Sequence, residues 1–511
     1  MGISSKAIIS EAIQLCVFDL RRGQQEGQEI DKILFFFPAD CPYSTQLSVL
    51  GLSEGLITFT RIFSPDAPCE VIEAEKHTNI FYPAEPDIWM VLIVEKNKDP
   101  EAFRRSSALN DFLKELHNLF LMFHGPVRAL LDKDPIGVLA RNHLYPFIAD
   151  YLTDFLVGKK FQIPSFRDSL KERGTVRMHS LERDVAIDIQ SLVTVLESSC
   201  PGNTLCKSLI LFQDLLVSTT LPPDDTTNLY TYAVMRLTQH ALSSGSNSWS
   251  YLRKGISSSN VLPSSISAHS GFISENTSHD SYSLRQGQIS NVTRPLQHGK
   301  WFKGNDGFLT TDAWRLDSRS TPIPNVWLTQ IEEQMYLCIF QHKSLTIILT
   351  VPVCSLINGE DELILLKEQI LDNASRKIIK VEEKLSQGWG GENTNHVKGY
   401  RYLLLNTDQH ISKASPPGKV STLSKESLLT LNKLRVEVDL EKSRSKLDDP
   451  EHELDLEVCI RAKNNAWVIS KVTRGNELYM VLEKASETLL YASDAVDKFT
   501  SRYCNGVFSL D

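Results

Sequence analysis

One order of elements recurs three times along the chain: strand, strand, helix, three strands, helix. Each copy is about the size of an ordinary domain, so the spacing predicts three modules in series rather than one core. In the first copy, Leu15 to Leu20 and Lys32 to Phe37 read as strands across the polar loop RRGQQEGQ, and Pro38 closes the second. A helix follows, then Cys69 to Glu73, Thr78 to Pro83 and Ile88 to Val94. This last run, IWMVLIV, is apolar at every position and belongs inside a sheet covered on both faces. Asp99-Pro100-Glu101 opens the closing helix, with its stripe of Leu109, Phe112, Leu113, Leu116, Leu119, Phe120 and Phe123.

The last copy runs through Tyr400 to Leu405, a short strand after Gln409, a helix from Ser424 to Val436, the strands Leu456 to Ile460, Trp467 to Val472 and Leu478 to Leu482, and a helix through Leu489, Ala492, Val496, Phe499 and Tyr503. The middle copy begins with Leu209 to Phe212 and Leu215 to Ser218 and a helix through Leu229, Ala233, Leu237 and His240. It resumes with Val326 to Leu328, Met335 to Phe340, Leu345 to Val351 and a long helix from Leu363 to Leu385. Between these halves, residues 243–321 are rich in Ser, Gly, Asn and His with few sustained apolar patterns and are expected to be a flexible insert, so that removal of Ser243 to Ser320 leaves the fold intact. The expected fold class is α+β, each module a five-stranded antiparallel sheet flanked by helices. Expected boundaries are 1–135 for the first module, 136–180 for a helical and basic connector, 181–387 for the second and 396–511 for the third. GWGGENTN, from Gly388 to Asn395, reads as the linker between the last two, and a helix near Leu181 to Leu196 is assigned to packing on the second.

A formal charge of -9 argues against nucleic acid as the main partner. The nine cysteines lack paired CxxC spacing, with Cys200 and Cys206 the nearest approach, so zinc is not expected. No secretory leader is evident, so the thiols are expected to stay reduced in the cytosol and the sequons at Asn276 and Asn291 to carry nothing. No apolar segment reaches the roughly 20 residues that span a bilayer, and the start MGISSK departs from the myristoylation pattern at Lys6. Any membrane contact is therefore expected to be peripheral.

Bond chemistry finds no apparatus. There is no GxxxxGK[ST] phosphate cradle, and Gly388, Gly390 and Gly391 lead into ENTNH. There is no GxSxG elbow, Cys16 and Cys338 lie in apolar strand runs, and His117 and His124 lack the carboxylate or thiolate neighbours of a metal site. The chain is accordingly expected to be no enzyme of bond-making type and to need no cofactor. One basic stretch stands out: Lys159, Lys160, Arg167, Lys171, Arg173 and Arg177 face only Asp168 and Glu172, which makes it a candidate contact for an anionic membrane, with a solvated connector as the blander reading.

The segment GLSEGLITFTRIFSPDAP, from Gly51 to Pro68, combines a helix with an abrupt stop at Ser64-Pro65. Leu52, Leu56, Phe59 and Phe63 recur at helical spacing and are assigned to the buried face, which leaves Glu54, Thr58, Thr60 and Arg61 as exposed interface candidates. Trp89 and Met90 are assigned to packing.

KILFFFP (Lys32 to Pro38), the Gly51 to Pro68 segment, DIWMVLIV (Asp87 to Val94) and the terminal NGVFSLD (Asn505 to Asp511) resemble the calcium-caffeine-zinc-sensitivity vacuolar fusion protein family, in a plant-like form. The resemblance implies three longin-like modules. It also implies a subunit that pairs with the monensin-sensitivity tri-longin protein to form a guanine nucleotide exchange factor for the Rab GTPase of late endosomes and vacuoles. Such a factor would be cytosolic and recruited peripherally to late-endosome or prevacuolar membranes. On the matching segment, Gly51, Glu54, Thr60, Ser64 and Pro65 become candidates near the partner or GTPase surface. A trafficking scaffold or adaptor without exchange activity is the alternative.

Overall fold

The computed structural model describes residues 13–64, 69–95, 106–157, 172, 174–179, 181–200, 206–243, 301–311, 324–355, 360–388, 400–415, 423–448, 455–473, 475–482 and 488–503. The first sheet is built from β1 (Ile13–Asp19), β2 (Ile33–Phe37), β3 (Val71–Glu73), β4 (His77–Glu85) and β5 (Ile88–Glu95), with α1 (Tyr43–Phe63) between the second and third strands and α2 (Ser106–His124) after the fifth. The proposed opening of α2 at Asp99 lies outside the described residues. Strand order is β2-β1-β5-β4-β3 and every pairing is antiparallel. The central β5 is paired on both edges, and of its eight residues only Ile93 and Glu95 are not buried, which is why IWMVLIV carries no polar alternation. After it, α3 (Val127–Lys133) packs on α4 (Val138–Val157), which in turn packs on α2 and β2.

The same order is repeated twice more. The second and third sheets are each built on a hairpin whose first strand pairs with the last strand of a three-strand meander. In the second, α5 (Arg183–Ser198) precedes β7 (Lys207–Phe212) and β8 (Leu215–Thr219), α6 (Pro223–Arg236) bridges to the meander β11 (Asn325–Leu328), β12 (Glu333–His342) and β13 (Leu345–Pro352), and α7 (Glu360–Gly388) closes it. The third holds β14 (Tyr400–Asn406), β15 (Ile411–Ala414), α8 (Lys425–Asp448), β16 (Leu456–Arg461), β17 (Trp467–Thr473), β18 (Asn476–Leu482) and α9 (Leu489–Tyr503). The α+β class, with five-stranded antiparallel sheets flanked by helices, is as the sequence predicts.

Four expectations need correction. The helix over Gly51 begins eight residues earlier, at Tyr43, where Pro42 sits as N-cap without a side-chain hydrogen bond and so left no capping signature to read. The expected insert 243–321 contains an ordered hairpin, β9 (Trp301–Lys303) with β10 (Leu309–Thr311), whose Trp301, Phe308 and Leu309 are buried. Trp301 Nε1 donates to the Tyr232 hydroxyl at 2.9 Å, and Phe308 packs on Phe340. The connector is not merely solvated: β6 (Val176–Arg177) pairs in parallel with β15, and Met178 bridges to Leu216 of β8. Finally, Cys200 and Cys206, with Cα atoms 6.4 Å apart where α5 ends and β7 begins, form a disulfide rather than staying reduced.

The cores show how the modules join. One apolar cluster runs from Leu15, Val17 and Met90 of the first sheet, through Leu113 and Leu116 of α2, to Leu209 and Leu211 of the second. Helix α2 is buried nearly all round because it lies between two modules, and Phe123 meets Tyr232 of α6 with ring centroids 5.0 Å apart. The third module keeps two clusters of its own, one on each face of its sheet.

Candidate functional site

Helix α1 covers the open face of the first sheet, opposite α2, and does so with two aliphatic and two polar side chains. Its buried residues are Gln46, Leu50, Ser53 and Ile57, which recur at steps of four, three and four and pack on Cys16, Phe18, Phe36, Trp89 and Val91. Gln46 Nε2 donates to the Cys41 carbonyl at 2.8 Å, which satisfies the amide without reaching the sheet. The remaining surface of the helix exposes Tyr43, Leu47, Leu52, Phe59, Ile62 and Phe63, with Phe59 59%, Ile62 70% and Phe63 73% exposed. Phe59 and Phe63 touch each other, centroids 4.9 Å apart, rather than the core.

This reverses the expectation that Leu52, Leu56, Phe59 and Phe63 form the buried stripe. Of these only Leu56 is even half-buried. The helix is apolar on two faces, and the sheet takes the one without aromatic rings because Trp89, Phe36 and Phe81 already fill the space beneath it. Trp89 and Met90 are core, 1% and 3% exposed, as expected. Arg61 places its guanidinium over the Trp89 ring at 5.4 Å.

The candidate residues fall differently along this helix. Gly51 is exposed, and a Cβ there would meet nothing within 4 Å; Gly55, one turn on and unremarked in the sequence, is equally open. The two glycines leave the backbone bare between Leu47 and the aromatic end, so an opposing element can approach it closely. Glu54 is not a free surface charge. Both its carboxylate oxygens accept from Lys32 Nζ, at 2.7 and 2.8 Å, and Lys32 is 7% exposed. Thr60 turns its hydroxyl back onto the carbonyls of Leu56 and Ile57, at 2.8 and 3.2 Å. Ser64 is the half-exposed C-cap, its N–H donating to the Thr60 carbonyl, and Pro65 lies outside the described residues. The helix therefore stops where the Ser-Pro pair predicts. Of the basic set, Lys159, Lys160, Arg167, Lys171 and Arg173 also lie outside the described residues, while Arg177 is exposed on β6 beside the buried Tyr230.

Beyond this face, polar groups among the described residues pair within the fold. His117 and Glu85 meet at 3.4 Å at the core edge, and the His124 ring makes tilted contacts with Phe120 and His143, centroids 4.9 Å apart in each. Burial pushes the Cys16 thiol above its ordinary range and that of Cys338 up to about 12, so both are inert neutral side chains. Among the described residues no group of three His, Cys, Asp or Glu side chains is placed to hold a metal ion, and no helix is long and apolar enough to cross a membrane. What the arrangement offers is area: an apolar helix face with a bare backbone at its centre.

Residues 13–125 match the family described as the first longin domain of INTU, CCZ1 and HPS4, a span that contains the whole of α1 and its sheet. Over 512 residues, covering all of both chains, the sequence is 60% identical to the vacuolar fusion protein CCZ1 homolog B of Arabidopsis thaliana. It is also 60% identical over 513 residues to the CCZ1 homolog of Oryza sativa subsp. japonica, again with full coverage of both. The CCZ1 homolog of Nematostella vectensis aligns over 98% of each chain at 22% identity.

Proposed function

The chain belongs to the CCZ1 family of vacuolar fusion proteins, and from that premise we propose that it is one subunit of a two-chain guanine nucleotide exchange factor acting in vacuolar trafficking. Its partner in this reading is the monensin-sensitivity tri-longin protein, and its substrate a Rab GTPase of the late endosome or vacuole. The observation that carries the reading is the outer face of α1, where Leu47, Leu52, Phe59, Ile62 and Phe63 stand exposed within the matched longin domain. Single exposed apolar residues are ordinary; five on one helix, with Phe59 and Phe63 in contact, mark an interaction surface. Burying one large side chain of this kind contributes about 1.5–3 kcal/mol, so the set as a whole suits a stable subunit contact.

Exchange needs no acid, base or nucleophile. A factor that holds the GTPase in its nucleotide-free form weakens nucleotide affinity by the same ratio by which nucleotide weakens the factor's own hold, and release accelerates accordingly. The first longin modules of both subunits would supply that grip jointly, the complex being recruited peripherally to an anionic membrane surface. Release of a fluorescent guanine nucleotide from the Rab, followed with this chain, the partner and both together, tests the proposal. Acceleration is expected only with both chains. Full activity of this chain alone overturns the shared grip, and no acceleration by the pair overturns exchange itself.

A further inference from the structure

We propose that Cys200 and Cys206 are a reversible thiol–disulfide site, whose oxidised form staples the end of α5 to the start of the second sheet. The two lie six positions apart in the sequence, Cys200 just past the last turn of α5 and Cys206 just before β7. Cys206 is 3% exposed among Ile210, Phe212 and Leu196, whereas Cys200 is only half-buried at the margin of the same cluster. That asymmetry sets the chemistry. The Cys200 thiolate is the one a small disulfide such as oxidised glutathione can reach: it attacks one sulfur, forms a mixed disulfide and releases the first thiol. The Cys206 sulfur then displaces the second small thiol from Cys200 and its proton leaves with that thiol, so that one disulfide is consumed, one is formed and two thiols are released.

The surroundings favour the bonded form. Cys200 sits at the carbonyl end of a helix, where the backbone dipole opposes a thiolate, so the reduced pair gains none of the stabilisation that makes a helix N-terminal cysteine a strong oxidant. The joint is also prepared without the bond. Glu197 Oε1 accepts from Thr220 Oγ1 at 2.6 Å and from the buried Ser208 Oγ at 3.2 Å, which fixes the last turn of α5 against the β7–β8 hairpin and holds the two sulfurs together. At its other end α5 follows directly on β6, whose neighbours His179 and Met178 donate to Leu216 of β8 and Ser412 of β15. The staple therefore closes the far end of a segment already held between the second and third modules.

The test equilibrates the folded full-length chain in glutathione buffers from strongly reducing to oxidising, quenches in acid and labels free thiols before peptide mass spectrometry. Cys200 and Cys206 should lose label together, while the exposed Cys354 keeps it over the same range. Amide exchange across the last turn of α5 and the start of β7 should be about tenfold slower in the oxidised protein. Cys200→Ser, at the half-buried position, should keep the fold and show the faster exchange in every buffer. Independent labelling of the two cysteines, arrest of Cys200 as a glutathione adduct, or exchange rates that ignore the buffer would each overturn the proposal.

Discussion

Glu85 and His143 show how single groups in the first module set its response to acid. Burial alone would raise the Glu85 pKa, but hydrogen bonds from His117 and from the Arg128 and Val127 amides outweigh it and hold the carboxyl below its ordinary value. Its contribution is therefore present above about pH 4.3, the unfolded value, and is lost as pH falls through the lower folded value. His143 is pushed down by burial, so its neutral form is the folded one; that contribution is present above about pH 6.5 and fades as pH drops below it. Melting followed from about pH 7.5 to 5.5 should fall for the natural protein and fall less for His143→Gln. On α1 the two faces should separate cleanly. Ile57→Ala, at 1% exposure, should cost about 2–5 kcal/mol, and Phe59→Ala about 0.5 kcal/mol or less while weakening partner binding by about 2 kcal/mol or more if it is an anchor. Calorimetry beside a binding titration checks both; partner affinity untouched by Phe59→Ala would move the contact off this face. Glu54→Lys confounds the two effects, because it sets a second ammonium against the nearly buried Lys32 and should itself destabilise by about 1–3 kcal/mol.

At the scale of elements, the sequence was legible wherever patterning and burial coincide. The runs Ile88 to Val94 and Leu345 to Val351 became central strands because their apolar side chains have nowhere else to go. It was illegible where two apolar faces compete: nothing within one chain tells whether Ile57 or Phe59 meets the sheet, since both lie on helical spacings of large side chains and the choice is made by the residues beneath. The hairpin at Trp301 was hidden for a different reason, being two three-residue strands whose burial comes from α6 and β12 rather than from any local period. Its contribution can be measured. Trp301→Ala removes a ring 7% exposed together with its hydrogen bond to Tyr232, and should cost about 3–5 kcal/mol. Deleting residues 244–300 instead, which leaves the hairpin in place, should shift the melt little; an equal loss from both changes would contradict the packing described for β9 and β10.

Across the whole molecule, the three modules are joined in two physically different ways. The first and second share one apolar core around α2 and should unfold together, whereas the third meets them across polar groups: Arg435 pairs with Glu172, His410 Nε2 lies 3.1 Å from Asp224, and Ser107 donates to Asp439 at 3.0 Å. A cavity of about 270 Å³ lies among them, lined by Lys114, Asn118, Asn228, Thr231 and Thr407 as well as the acidic side chains. Polar contacts of this kind, from the buried Arg435 to the half-exposed His410–Asp224 pair, hold position without the strong cohesion of a shared apolar core. What makes the junction continuous is the two-residue β6, which extends the third sheet by one strand and, through Met178 and His179, touches the edge of the second. Met178→Pro tests that role, because it removes the N–H that donates to Ser412 at 3.0 Å at a half-buried position where little packing is lost. Amide exchange should quicken in β15 and β8 while peptides from β5 keep their protection, since β5 is hydrogen-bonded to β1 and β4 rather than to β6. A uniform rise across all three sheets would instead mean that the third module stabilises the others through the polar junction itself, and that β6 is an edge decoration rather than the strand that ties them.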